Sequence, residues 1–297
     1  MVTEPLNRSI LYLPASNTRA LEKSRGIEAD SLVFDLEDSV IASSKSAARE
    51  SLLAAFSAGS FGDSQTVIRC NTVGSADYLK DLETIRECAP DSVLLPKVSS
   101  TNDLCVFQAD AVKAGLPDQI TCWYMIETAA GVANLASIVE AGKISRWPVA
   151  ALVVGHNDLA KETGVSLQSD RKYLQPWLMQ IVLQAKAAQI HVFDSVWNDF
   201  KDLDGFGREA LQGKQMGFDG KTLIHPSQVA IANKQFLPGA EELKRAREII
   251  AAFALPENSD AGVLNLNGEM VERLHLRQAL SLLESAKDTS AKDTSKS

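Results

Sequence analysis

The chain has 297 residues, 45% of them hydrophobic and 23% charged, with a formal net charge of -8. This is the composition of a soluble globular protein with room for one large domain or two small ones. The acidic balance argues against nucleic acid or an anionic membrane as the main partner. The opening MVTEPLNRSI lacks the basic and apolar stretches of a secretory signal, and no apolar run approaches the roughly 18 residues that a membrane span needs. A cytoplasmic protein is expected. Cys70, Cys88, Cys105 and Cys122 form no C-x-x-C pair and read as reduced thiols. The four histidines show no metal-binding spacing.

In chain order, short apolar runs occur at 10–14, 31–38, 66–71, 92–97, 121–127, 149–158, 190–196 and 221–226. They are near-continuous in Val, Ile and Leu rather than alternating, as in strands covered on both faces. The segments between them, such as SADYLKDLETIREC, repeat apolar residues at three- and four-residue spacing. Eight strand–helix alternations predict a (β/α)8 TIM barrel over 6–235. A doubly wound sheet is the alternative, weakened because no G-x-G-x-x-G follows the first strand. From 236 to 284 the texture changes to an amphipathic helix, a Gly-containing loop and a second helix: a C-terminal helical extension. The tail 285–297, with its repeated AKDTS, has no apolar anchor and is expected to be disordered.

In such a barrel the chemistry gathers where the strands end. Those ends carry Asp35, Glu37 and Asp38, then Arg69 and Asn71, Lys97, Glu127, Asn157 and Asp158, Asp194, and His225. Glu127 and Asp158, on neighbouring strands, can share a hard cation such as Mg²⁺, or be solvated loop acids. With a cation present, Asp35, Glu37 and Asp38 would accept from its waters; otherwise they form an exposed turn. Arg69 lies in an apolar strand and must be paired. Its guanidinium suits a ligand carboxylate or an oxygen gaining charge, or a salt bridge to the 35–38 acids. Lys97 has the chemistry of a Schiff-base lysine, but its acidic surroundings favour a structural ion pair.

RSILYLPASNTRALEK, DLEDSV with Lys45 and Arg49 downstream, VIRCN, LLPK, MIETAAGVANL, GHNDLA, GFDGKTLIHPSQV and NGEMVER follow one another in this chain. Together, from about residue 8 to about residue 280, they resemble the citrate lyase β-subunit-like branch of the HpcH/HpaI aldolase family, the malyl-CoA and citramalyl-CoA lyase group. The resemblance implies a TIM barrel whose C-terminal extension acts as a lid or inter-subunit arm, and a homo-oligomer (trimer or hexamer). It implies Mg²⁺ on Glu127 and Asp158, and Arg69 at the reacting carbonyl oxygen. Arg8 and Lys23 fall where the family places basic residues near the CoA entrance. The family's acid/base aspartate, carried by a G-x-M-[VI]-D motif from a neighbouring subunit, is Glu272 here. That glutamate moves the carboxylate by one methylene, and a misplacement of about 1 Å can cost about a hundredfold in rate.

The implied reaction is Mg²⁺-dependent cleavage or formation of a carbon–carbon bond in a 3-hydroxy-carboxyacyl-CoA such as malyl-, citramalyl- or citryl-CoA. The products are acetyl-CoA or a homologue and a 2-oxo acid. The rival expectations are a citryl-thioester lyase subunit of a citrate lyase complex, a malyl-CoA thioesterase, and a non-catalytic 2-oxo-acid-binding homologue.

Overall fold

The computed structural model describes residues 7–167, 170–258, 261–280 and 282–283. By internal contacts it divides into a unit spanning Asn7–Phe236 and a C-terminal unit whose described part begins at Leu237. The tail expected to be disordered lies outside the described residues.

The larger unit is a closed barrel of eight parallel strands, as expected. These are β1 (Ser9–Pro14), β2 (Ser31–Asp35), β3 (Gln65–Arg69), β4 (Ser92–Leu95), β5 (Thr121–Ile126), β6 (Val149–Val154), β7 (His191–Asp194) and β8 (Gly220–Leu223). Each pairs with the next, and β8 returns to β1 through Ser9 opposite Lys221, so no strand edge is left open. The ladder excludes the doubly wound alternative.

Around it run α1 (Thr18–Ser24), α2 (Lys45–Ser57), α3 (Tyr78–Cys88), α4 (Thr101–Ala114), α5 (Ala129–Ala133) and α6 (Leu135–Lys143). They continue with α7 (His156–Thr163), α8 (Gln175–Ala188), α9 (Leu203–Met216) and α10 (Val229–Gln235). Local chemistry sets their ends. The Asn17 side chain accepts from the Ala20 N–H at the start of α1, and Asp202 does the same for Gly205 at α9. Ser100 and Asp103 form a capping box on α4.

Alternation along each strand divides the core in two. Ile10, Val33, Val67, Leu94, Met125 and Phe193 point into the barrel, where Trp123 meets Phe193 at a ring separation of 4.9 Å. Their neighbours, such as Leu11, Leu32, Ile68 and Leu152, face the helices. Two residues beyond the last interior apolar position, the same parity brings Asp35, Arg69 and Glu127 to the mouth of the barrel.

In the C-terminal unit, α11 (Ala240–Ala254) is followed by an antiparallel hairpin, β9 (Val263–Leu266) and β10 (Glu269–Glu272). Residues 273–280 are helical. Asn267 and Gly268 both take positive φ, 56° and 89°, which is the backbone of a tight two-residue hairpin turn. The segment expected to be a loop is therefore a hairpin. Ile249, Phe253 and Val271 form the unit's core.

Among the described residues, no helix is long and apolar enough to cross a membrane. All four cysteines are free.

Candidate active site

The mouth of the barrel holds a cavity of about 260 Å³ lined by Asp35, Asp38, Arg69, Glu127, Asp158 and neighbouring residues. Strand ends supply most of it. β2 delivers Asp35, β3 delivers Arg69, and Glu127 follows β5 directly. Asp158 sits in the first turn of α7, where the helix N-terminus favours negative charge.

Arg69 is 8% exposed and tightly held. Its Nε and Nη2 donate to the two oxygens of Asp35 at 2.7 and 2.6 Å, and Nη1 lies 3.0 Å from Glu37 Oε2. The remaining contact of Nη1 is the Met125 sulfur at 3.5 Å, a weak acceptor that a ligand oxygen can displace. Burial disfavours ionised Asp35, but Arg69 and the N–H groups of Glu37 and Ser39 outweigh it and hold its carboxyl below the usual range. Asp35 and Glu37 thus bind the guanidinium directly, as in the salt-bridge alternative. Lys97 donates its Nζ to Glu37 Oε1 at 2.5 Å and lies 3.4 Å from Asp38. It is an ion-paired lysine. Asp38 is exposed on the cavity rim.

Glu127 is 1% exposed. Its Oε1 accepts from the Lys97 backbone N–H at 2.8 Å, whereas its buried Oε2 has no hydrogen-bond partner among the described residues. Lys97 adopts φ +54°, a strained conformation for a residue with a side chain, and this turns its N–H onto Glu127. Opposite, Gly155 leaves space: a Cβ there would overlap the Glu127 carboxylate. Burial, aided by Glu37, pushes the Glu127 carboxyl up to about 8 against the opposing pull of Arg69.

The remaining strand-end residues serve other purposes. Asn71 bonds Asp81 and the Leu36 carbonyl, tying the 35–38 loop to α3. Lys45 Nζ donates to the Leu36 and Glu37 carbonyls, each at 2.7 Å, and Arg49 pairs with Asp77 and Asp81. Asp194 has the wrong parity for the mouth. It points into the helix layer, where a Cβ at Gly213 would meet it at 2.7 Å. There it joins Arg171 (2.6 Å) and Lys221 (3.0 Å), with Glu209 between the two cations. Lys221 and Arg171 overcome the burial that would raise it and hold Asp194 at about 2. His225 is exposed and stacks on Phe200. Asn157 makes a reciprocal amide pair with Asn198.

Arg8 does not stand near this cavity. It precedes β1 at the opposite end of the barrel, because a residue before a strand lies at that strand's N-terminal rim, and it forms a bidentate pair with Asp30, just ahead of β2. Lys23 is exposed in the last turn of α1. Glu272 ends β10 in the C-terminal unit, its backbone N–H bonded to His275 Nδ1. His156 carried no expectation. It lines the cavity, is 5% exposed, and accepts or donates through Nδ1 to Ser195 Oγ at 2.5 Å. Its orientation follows from the turn that starts α7.

The model of the HpcH/HpaI aldolase/citrate lyase family matches residues 8–226. The chain belongs to that family. It is 40% identical over 284 residues to a (3S)-malyl-CoA thioesterase of Cereibacter sphaeroides, covering 96% of each chain. It is 31% identical to the mitochondrial citramalyl-CoA lyase of Homo sapiens, covering 92% of this chain and 83% of that protein. Among solved structures, CitE from Mycobacterium tuberculosis in complex with magnesium, acetoacetate and coenzyme A is similar with a TM-score of 0.75. Its sequence identity is 29%, and the match covers 94% of this chain and 97% of that one. The family member described here thus shares both sequence and barrel with proteins that handle CoA thioesters.

Proposed function

We propose that this protein is a Mg²⁺-dependent carbon–carbon lyase acting on a 3-hydroxy-carboxyacyl-CoA. It would release, or condense, acetyl-CoA or a homologue and a 2-oxo acid. One observation carries the reading. The mouth cavity is lined by four carboxylates, Asp35, Asp38, Glu127 and Asp158, against the single guanidinium of Arg69. An anionic acid binds there only with a cation. The buried, unpartnered Oε2 of Glu127 fits a metal ligand, and so do two carboxylates in one cavity, since Mg²⁺ takes about one or two from a protein. Glu127 and Asp158 would hold Mg²⁺, which supplies a template and Lewis acid for the carboxylate and neighbouring oxygen of the acid half.

The protein's own groups do the rest. The Lys97 N–H fixes one oxygen of Glu127, which leaves the other for a ligand. Asp35 and Glu37 hold the Arg69 guanidinium in place, and Nη1 exchanges the Met125 sulfur for the thioester oxygen as that oxygen gains charge. The acidic loop thereby orients the cation that stabilises the enolate. Glu272 is the proposed acid/base that returns a proton to the enolate carbon in cleavage and removes it in condensation. Supply of this residue by a neighbouring copy in a homo-oligomer is part of the proposal. Lys23 is kept as a CoA contact; Arg8 is not.

The 40% identity to a (3S)-malyl-CoA thioesterase favours a second reading, in which water cleaves the same class of thioester. Incubation with Mg²⁺ and malyl-, citramalyl- and citryl-CoA separates them. The lyase gives an acyl-CoA and a 2-oxo acid, and the thioesterase gives free CoA and a hydroxy acid. Loss of thioester to free CoA alone would remove the lyase reading.

A further inference from the structure

Two donors on the lining of the mouth converge on an acceptor that holds neither firmly. Tyr12 follows Ile10 on the interior face of β1, opposite Val33 of β2. The Arg69 guanidinium lies over its ring, with Cζ 5.1 Å from the ring centre. Tyr12, Arg69 and Met125 all line the mouth cavity. The Tyr12 hydroxyl donates to Met125 Sδ at 3.8 Å, and Arg69 Nη1 donates to the same sulfur at 3.5 Å. Among the described residues the hydroxyl makes no other hydrogen bond.

A thioether is a weak acceptor, whereas a tyrosine hydroxyl away from bulk water ordinarily finds a strong one. Asp35 does not serve, because its two oxygens are taken by Arg69 and by the N–H groups of Glu37 and Ser39. The unbranched Met125 side chain repacks readily, so its sulfur can give way to an oxygen. Burial, with the carboxylates of Glu127, Asp35 and Glu37, holds the Tyr12 phenol above its ordinary value against the pull of Arg69. The hydroxyl therefore keeps its proton and stays a donor.

We propose that the Tyr12 hydroxyl is a second donor to the thioester oxygen of the substrate, forming with Arg69 Nη1 a two-point oxyanion site whose place the Met125 sulfur fills at rest. The proposal rests on the reading of the mouth as a CoA-thioester site. It does not depend on which bond breaks. The thioester oxygen gains negative charge when the neighbouring carbon becomes an enolate, and equally when water adds to the carbonyl carbon. In both cases Tyr12 gives a hydrogen bond and no proton. Removing one donor aimed in advance at such an oxygen costs about 10²–10³ in turnover. With Arg69 still in place, a loss of about 10- to 100-fold is expected for Tyr12.

Tyr12→Phe tests this, because it keeps the ring under Arg69 and removes only the hydroxyl. The full-length protein is assayed in saturating Mg²⁺ with whichever of malyl-, citramalyl- and citryl-CoA the parent turns over, following both acyl-CoA and free CoA. The expected result is a kcat lower by about 10- to 100-fold with KM within about threefold of the parent, the pattern of a contact made in the transition state. The thermal midpoint, and Mg²⁺ affinity in the presence of pyruvate, should match the parent. A kcat within about twofold of the parent, or a loss confined to KM, would overturn the proposal. So would a fall in stability or Mg²⁺ affinity in step with turnover, which would make the hydroxyl structural. An active parent beside an equally active variant ends this proposal alone. A parent that turns over none of the three thioesters ends the thioester reading and takes this proposal with it.

Discussion

Two groups of charges occupy the same barrel wall and behave differently. Behind β7 and β8, Asp194 and Glu209 face Arg171 and Lys221, and the four are joined by contacts of 2.6–3.3 Å. At the mouth, four carboxylates share the cavity with one guanidinium among the described residues, and Glu127 keeps a buried oxygen with no hydrogen-bond partner among them. The first group is balanced, each cation buried between two carboxylates, so it holds β7, β8 and α9 together. The second is unbalanced and open to a cavity, so it calls for a cation from outside. Charge balance separates the two.

Substitutions in each group should therefore fail in opposite ways. The largest effect is expected from Glu127→Gln, which should lower Mg²⁺-dependent turnover by about four orders of magnitude, or about 5 kcal/mol in barrier. Thermal unfolding of that variant should be no less stable than the parent, because an unpartnered buried acid has been removed. Full activity in Glu127→Gln would erase the distinction. Asp194→Asn should do the reverse. It leaves two buried cations to share the single carboxylate of Glu209 and should cost about 3–5 kcal/mol in urea unfolding, with the residual activity per folded molecule little changed. Glu272→Ala asks whether an acid from outside the barrel moves the proton. A loss of about a hundredfold in turnover, with 2-oxo-acid affinity retained, is expected, and an unchanged rate would return that role to the mouth.

The smallest effect is on acid stability. Asp194 titrates at about 2 in the folded chain and at about 3.9 when unfolded. Its contribution is fully present above about pH 4 and is lost as pH falls toward 2. The urea midpoint of the parent should fall over that window, and more steeply than that of Asp194→Asn.

Much of this was legible in the sequence, for physical reasons. The Val-, Ile- and Leu-rich runs coincide with the strands because a parallel barrel buries both faces of each. Asp35, Arg69, Glu127 and Asp158 come together because residues at strand ends share one rim. Parity was the unused signal: Phe193 faces the interior, so Asp194 must face the helices. Strand polarity would likewise have placed Arg8 at the far rim. The hairpin of the C-terminal unit was announced by Asn267-Gly268 between apolar runs. The Lys221–Glu209–Arg171 group could not be read from the chain. It joins residues up to 50 positions apart, from Arg171 to Lys221, and only the closed barrel packs them together.

Calorimetric titration of Mg²⁺ into the parent and into Glu127→Gln, each with saturating pyruvate, tests the central claim most directly. One site per chain in the parent and none in the variant is the predicted result. Equal binding by both proteins, or no binding by the folded parent, would contradict a cation held at the barrel mouth by Glu127.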